Sequence, residues 1–210
     1  MLPRLQWILI GLPGLVAGFA FHEYAHAWIA YRQGDMTPKA YGRLTLEPWA
    51  HLDLIGTILL LVYGFGWAKP VPVNPYNFKR PRQGMLKVAL AGPLMNIVVA
   101  ACFLLLGRLT SGLVGVPFLE EMLWAGASVN VSLGVFNMIP IPPLDGSKIL
   151  AGIVPGEVAS FMDRLEQYGP VLLVVLVSTG ALRGLLGAMI GLVHAALVRS
   201  VYTITWFIPW

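Results

Sequence analysis

Apolar residues in this chain form long continuous runs, and polar residues punctuate the gaps between them. Five runs, Leu5–Tyr31, Val88–Gly107, Met122–Met138, Tyr168–Leu182 and Gly184–Trp210, reach or approach the length that crosses a bilayer as helix, which is about 20 residues. A sixth, Leu54–Gly66, is shorter and broken by Gly56, Gly64 and Gly66. It is expected to be re-entrant or interfacial and not to span.

The stretches between the runs predict a different backbone. Arg32–His51 reads as a loop with strand-like alternation around Arg43 to Leu46, and Gly66–Gly84 is proline-rich, so it should be extended chain and turns. Met122–Met138 runs directly into Ile139–Ser147, where prolines at 140, 142 and 143 forbid helix. The pattern predicts an all-α polytopic membrane bundle of about five to six segments with one unwound, proline-rich helix break and a few short membrane-associated strands. No polar stretch is long enough for a soluble module, so residues 1–210 are expected to be a single membrane-embedded domain.

Composition strengthens the membrane assignment. Of 210 residues, 57% are hydrophobic and 11% are charged, against about 25% charged in soluble domains. The net charge of +4 does not argue for nucleic acid, because the cations sit in loops beside the apolar runs. They report orientation instead, with Arg32, Lys39, Arg43, Lys69, Lys79, Arg80, Arg82 and Lys87 marking the cytoplasmic face of a multi-pass cell-membrane protein. The lone Cys102 excludes an intrachain disulfide and is expected to be a buried bystander. The first run is too long for the core of a signal peptide and should be retained as a span.

That first run also holds the chemistry. His22, Glu23 and His26 form an H-E-x-x-H motif inside it, although each ionisable residue at membrane depth costs roughly 2.5 to 3.5 kcal/mol on insertion scales. On a helix, positions four apart lie about 40° from each other, so both imidazoles can reach one metal ion. Glu23 falls beside them as a candidate proton acceptor that is not itself a ligand. His194, alone on an apolar helix, is expected to be structural.

A catalytic zinc takes three protein ligands, and Asp145 is the strongest third candidate. It ends the proline-rich break and is the only acidic residue between Met122 and Gly156. Leu5 to His22 and Glu121 to Met138 each span 17 residue steps, about 25 Å of helix. The two sites therefore meet if both helices start at one face, which requires an odd number of crossings between them. Val88–Gly107 supplies one, and Leu54–Gly66 must then supply none.

With H-E-Y-A-H in the first run and N-M-I-P-I-P-P-L-D-G from Asn137 to Gly146, the chain resembles the site-2 protease family of intramembrane zinc metalloproteases. Further matches are GRLTLEPWAHLD, GWAKPVPVNP and AGPLMN, which look like the compact prokaryotic branch without PDZ or CBS domains. The resemblance implies one zinc per chain on His22, His26 and Asp145, with Glu23 as catalytic base. It also implies a strand-holding role for Asn137. Glu47 stands where the family pattern suggests asparagine, which touches only local loop structure.

The expected activity is cleavage, towards the cytoplasmic side, of a transmembrane segment of a membrane-anchored protein. A helical substrate must be unwound first, and the break around Pro140 and Pro142, together with candidate strands around Arg43 and Lys69 to Val73, offers edges onto which an extended segment could pair. Asn96, in AGPLMN, suits either a substrate-polarising role or helix–helix hydrogen bonding. Two other classes compete: a catalytically silent scaffold or substrate-binding relative, against which the full motif set argues, and a small transporter with a broken helix, for which no inverted repeat is visible.

Overall fold

The computed structural model describes residues 2–54, 56–58, 66–110 and 117–207. Its elements in chain order are α1 (Leu2–Arg32), the one-turn helices α2 (Thr37–Ala40) and α3 (Pro48–His51), α4 (Pro81–Thr110), α5 (Pro117–Asn137), α6 (Asp145–Ile153), α7 (Gly156–Leu165), α8 (Gly169–Ser178) and α9 (Arg183–Ile204). The all-α expectation holds. Helices α4 and α9 are long and apolar enough to cross a membrane, judged by length and composition. Most of Leu54–Gly66 lies outside the described residues.

Helices α1, α4 and α5 pack on one another and form the centre of the molecule. Small residues set their spacing. A Cβ on Gly14 of α1 would strike the backbone of Gly126 in α5, and one on Gly18 would lie 2.7 Å from the Asn130 side chain. Where apolar side chains gain nothing by leaving lipid, such close backbone approach is what holds helices together. Around this centre, Ala100, Val131 and Val135 take Leu186, Ile190, Val193 and Leu197 of α9. Leu173 of α8 instead seats on Ile139 and Leu144 in the proline-rich break.

The chain leaves α1 through Gly34, whose φ of 102° lies in the left-handed region that suits glycine. The next residue, Asp35, is fully buried. Its Oδ1 accepts from the Thr37 amide, the Thr37 hydroxyl and Asn77 Nδ2, and its Oδ2 accepts from the Asn74 amide at 2.8 Å. One carboxylate thus ties the end of α1 to the start of the Pro75–Asn77 turn.

The expected strands are not present: among the described residues there is no strand, and a single bridge pairs Leu52 with Ala68. The backbone groups that would build a ladder are spent elsewhere. The Thr45 carbonyl lies 2.8 Å from His51 Nε2, and the Ala50 carbonyl accepts from the Arg43 guanidinium. In the extended stretch after Ala68, Pro70 and Pro72 have no N–H to give.

The proline-rich break is as expected. α5 stops at Asn137, residues 138–144 turn, and α6 begins at Asp145. Short turns satisfy part of the freed backbone, with Ile141 N bonding Ile139 O at 2.8 Å and Leu144 N bonding Ile141 O at 2.9 Å. A Cβ on Gly146 would collide with the carbonyls of Met138 and Ile139, so this fold-back over the start of α6 requires glycine.

Candidate metal centre

His22 and His26 project from one face of α1 with their rings edge to face, centroids 4.6 Å apart. Both are buried. Their Nδ1 atoms point away from each other, each to an acceptor: His26 Nδ1 donates to the Val88 carbonyl at 2.7 Å, and His22 Nδ1 donates to Asn96 Oδ1 at 2.6 Å. A carbonyl only accepts, so the His26 proton sits on Nδ1. For His22 the assignment follows from Asn96, whose Nδ2 is committed to the carbonyl of Gly18 at 3.1 Å and so turns Oδ1 towards the ring.

With each imidazole neutral, both Nε2 atoms carry bare lone pairs, and they converge. They lie 3.0 Å apart, and Asp145 Oδ2 sits 3.1 Å from His22 Nε2 and 3.3 Å from His26 Nε2. That oxygen is buried with no hydrogen-bond donor of its own. Three electron-rich atoms at such distances repel unless a cation lies among them. Their spacing also fits one: ligands about 2.0–2.1 Å from a tetrahedral zinc stand about 3.3 Å from one another. Imidazole and carboxylate are zinc's usual catalytic donors, and anchored Nδ1–H groups are the usual way such histidines are oriented.

Two contacts of the surroundings involve residues of AGPLMN and GWAKPVPVNP to which the sequence assigned no role at the centre. Gly92 of α4 lies against the imidazole pair, where a Cβ would sit 2.6 Å from His22 Nε2. The extended stretch after Ala68 crosses Glu23, and the Val71 amide donates to Glu23 Oε2 at 3.2 Å. Glu23 is buried beneath it and is not among the three clustered ligands.

The remaining sequence candidates divide. Asn96 is fully buried and its amide is saturated by His22, Gly18 and Asn130, which is the helix–helix hydrogen-bonding arrangement. Asn137 ends α5 and donates its Nδ2 to Leu133 O at 3.0 Å. Pro140 is exposed, whereas Pro142 is buried with its backbone against Gly169. His194 stands apart from the cluster, 3.4 Å from the Ser128 hydroxyl and stacked at a tilt near Trp124. Cys102, expected to be buried because it lies in an apolar run, is instead exposed on the outer face of α4.

Comparison with known proteins agrees with this geometry. Residues 115–177, which include Asp145, match the model of peptidase family M50. The chain is 43% identical over 171 residues to YwhC of Bacillus subtilis (strain 168), covering 79% of this chain and 78% of that protein. It is 33% identical over 145 residues to MJ0611 of Methanocaldococcus jannaschii, covering 68% and 69% respectively. It is 30% identical over 183 residues to Rip2 of Mycobacterium tuberculosis (strain ATCC 25618 / H37Rv), covering 82% and 68%. The names of all three class them, provisionally, as zinc metalloproteases. No solved structure matches.

Proposed function

The chain belongs to peptidase family M50, the site-2 protease family, and we propose that it is an intramembrane zinc endopeptidase that cuts transmembrane segments of membrane-anchored proteins. The observation that carries this reading is the convergence of His22 Nε2, His26 Nε2 and Asp145 Oδ2 with both Nδ1 protons anchored. His22, His26 and Asp145 would hold the ion. Zinc bound there supplies Lewis acidity, polarising the scissile carbonyl and making a water acidic near neutral pH.

The protein's own groups do the rest. Glu23 takes the proton of the attacking water and returns it to the leaving amine. Its carboxylate is held for that task by the Val71 amide. Asn137 and the exposed Pro140 flank the break just before Asp145, where an unwound substrate segment can lie as extended chain. Burial of the ligands restricts the reaction to segments that enter the molecule.

The apolar runs serve as about five to six membrane segments, of which α4 and α9 are long and apolar enough to cross on their own. The cations from Arg32 to Lys87 face the cytoplasm, with the active site near that side. The deciding experiment pairs metal analysis with cleavage of a membrane-anchored model substrate. Wild type should carry one zinc per chain and cut. Glu23→Gln should carry the same zinc and lose cutting by about 10²- to 10⁴-fold. A wild type that binds zinc but leaves every transmembrane substrate intact would favour a catalytically silent relative.

A further inference from the structure

Nothing in the sequence motifs marks Asn130, yet three helices hydrogen-bond to its amide. It is fully buried on α5. Its Nδ2 donates to the carbonyls of Gly14 in α1 and Gly126 in α5, both at 2.8 Å. Carbonyls only accept, so Oδ1 is the end that faces Asn96, and it accepts from Asn96 Nδ2 at 3.1 Å. The second Nδ2 proton of Asn96 goes to Gly18 O, also at 3.1 Å.

The amides are therefore ordered in sequence. Fixed main-chain carbonyls set the direction of Asn130, Asn130 and Gly18 set that of Asn96, and Asn96 sets the proton of His22 by presenting Oδ1 to Nδ1 at 2.6 Å. If the Asn130 acceptor is removed, Asn96 keeps a buried N–H with no partner, which carries the desolvation penalty of that group. Asn96 then gains by rotating towards another arrangement, and the Nδ1–H form of His22 loses its acceptor.

We infer that Asn130 is a positioning residue for the metal centre: acting through Asn96, it keeps the His22 proton on Nδ1 and leaves Nε2 free for the ion. The inference rests on the zinc-site reading above. It is distinct from a packing role because it predicts an effect on metal affinity that an apolar replacement of similar volume does not repair.

The test uses the whole 210-residue chain in detergent, with zinc affinity measured by competition with a chromophoric chelator and folding followed by the apparent Tm. Asn130→Ala and Asn130→Leu should each weaken zinc binding about tenfold, the leucine variant even where its Tm is near that of wild type. Asn130→Asp should recover most of the loss, since it keeps the acceptor for Asn96 and, when protonated, one donor for a glycine carbonyl. On an Asn96→Ala background, Asn130→Ala should add less than twofold, because the effect passes through Asn96.

Zinc affinity of Asn130→Leu within twofold of wild type would overturn the inference, as would losses at Asn96 and Asn130 that multiply. Should Asn130→Leu not fold, the Asn96→Ala background decides, because a packing loss at Asn130 would persist there and a positioning loss would not. Indifferent Asn130 variants of a zinc-binding wild type sink this inference alone. A wild type that binds no zinc sinks the proposed function with it.

Discussion

The amide of Val71 donates to Oε2 of Glu23 across 3.2 Å, the one main-chain bond that reaches the proposed base from outside its own helix among those described. Pro70 and Pro72 on either side have no N–H, so this donor cannot be replaced by a neighbour through a small slip of the chain. Val71→Pro deletes that single proton with little change in bulk. A hydrogen bond to a charged group contributes roughly 1.5–3 kcal/mol, so cleavage should slow by about tenfold or more while zinc content stays that of wild type. Unchanged turnover in Val71→Pro would show that the contact does not position Glu23.

Gly92 gives a second prediction on the other side of the centre. A methyl group there would sit 2.6 Å from both Cε1 and Nε2 of His22, well inside van der Waals contact. Helix backbone lies behind it and the paired imidazoles lie in front, so neither side can yield without disturbing the ligands. Gly92→Ala should lose bound zinc and activity together, and overpacking of this kind destabilises by about 1–3 kcal/mol. Metal analysis of the purified variant checks it, and a fully loaded Gly92→Ala would show that the helices part more easily than their packing implies.

The contrast between these positions and the ionisable residues of the centre shows what the sequence could and could not reveal. His22, Glu23, His26 and Asp145 were legible because an ionisable side chain in an apolar run is costly, and because helical spacing ties two of them to one face. The break before Asp145 was legible because proline removes backbone donors. Val71, Gly92 and Asn130 act through contacts between segments that are far apart in the chain, for which local spacing carries no signal. The strands failed for the same reason. Alternation around Arg43 and the prolines after Lys69 marked extended chain, but side chains from His51, Arg43 and Glu23 took the bonds that a ladder would have used.

Asp35 links pH to stability outside the membrane segments. Burial alone would push its carboxyl up, but bonds from the Thr37 hydroxyl, the Asn74 amide, the Asn77 side chain and the Thr37 amide outweigh it and hold the group below its ordinary value. A carboxyl that is more acidic in the folded state stabilises the fold above its unfolded pKa, near about 4, and the contribution disappears as pH falls through the lower folded value. Between about pH 5 and pH 3 the wild type should therefore lose apparent Tm more steeply than Asp35→Asn. At neutral pH the variant should already be less stable, by roughly 1–3 kcal/mol for the weakened bonds. Parallel Tm curves for the two proteins across that range would remove Asp35 as a source of the acid response.

Metal removal tests the centre as a whole. His22 Nε2, His26 Nε2 and Asp145 Oδ2 lie within 3.0–3.3 Å of one another, and α1 and α6 supply them from segments far apart in the sequence. An ion that binds the folded state and not the unfolded one stabilises by RT ln(1 + [L]/Kd), about 4 kcal/mol when free metal exceeds Kd a thousandfold. Chelation should lower the apparent Tm of the wild type, and added zinc should restore it. Asp145→Ala removes the α6 ligand, so its Tm should begin lower and respond far less to either treatment. If stripping the metal, confirmed by analysis, leaves the wild-type Tm where it was, then the ion does not join α1 to α6, and the three side chains are held together by helix packing alone.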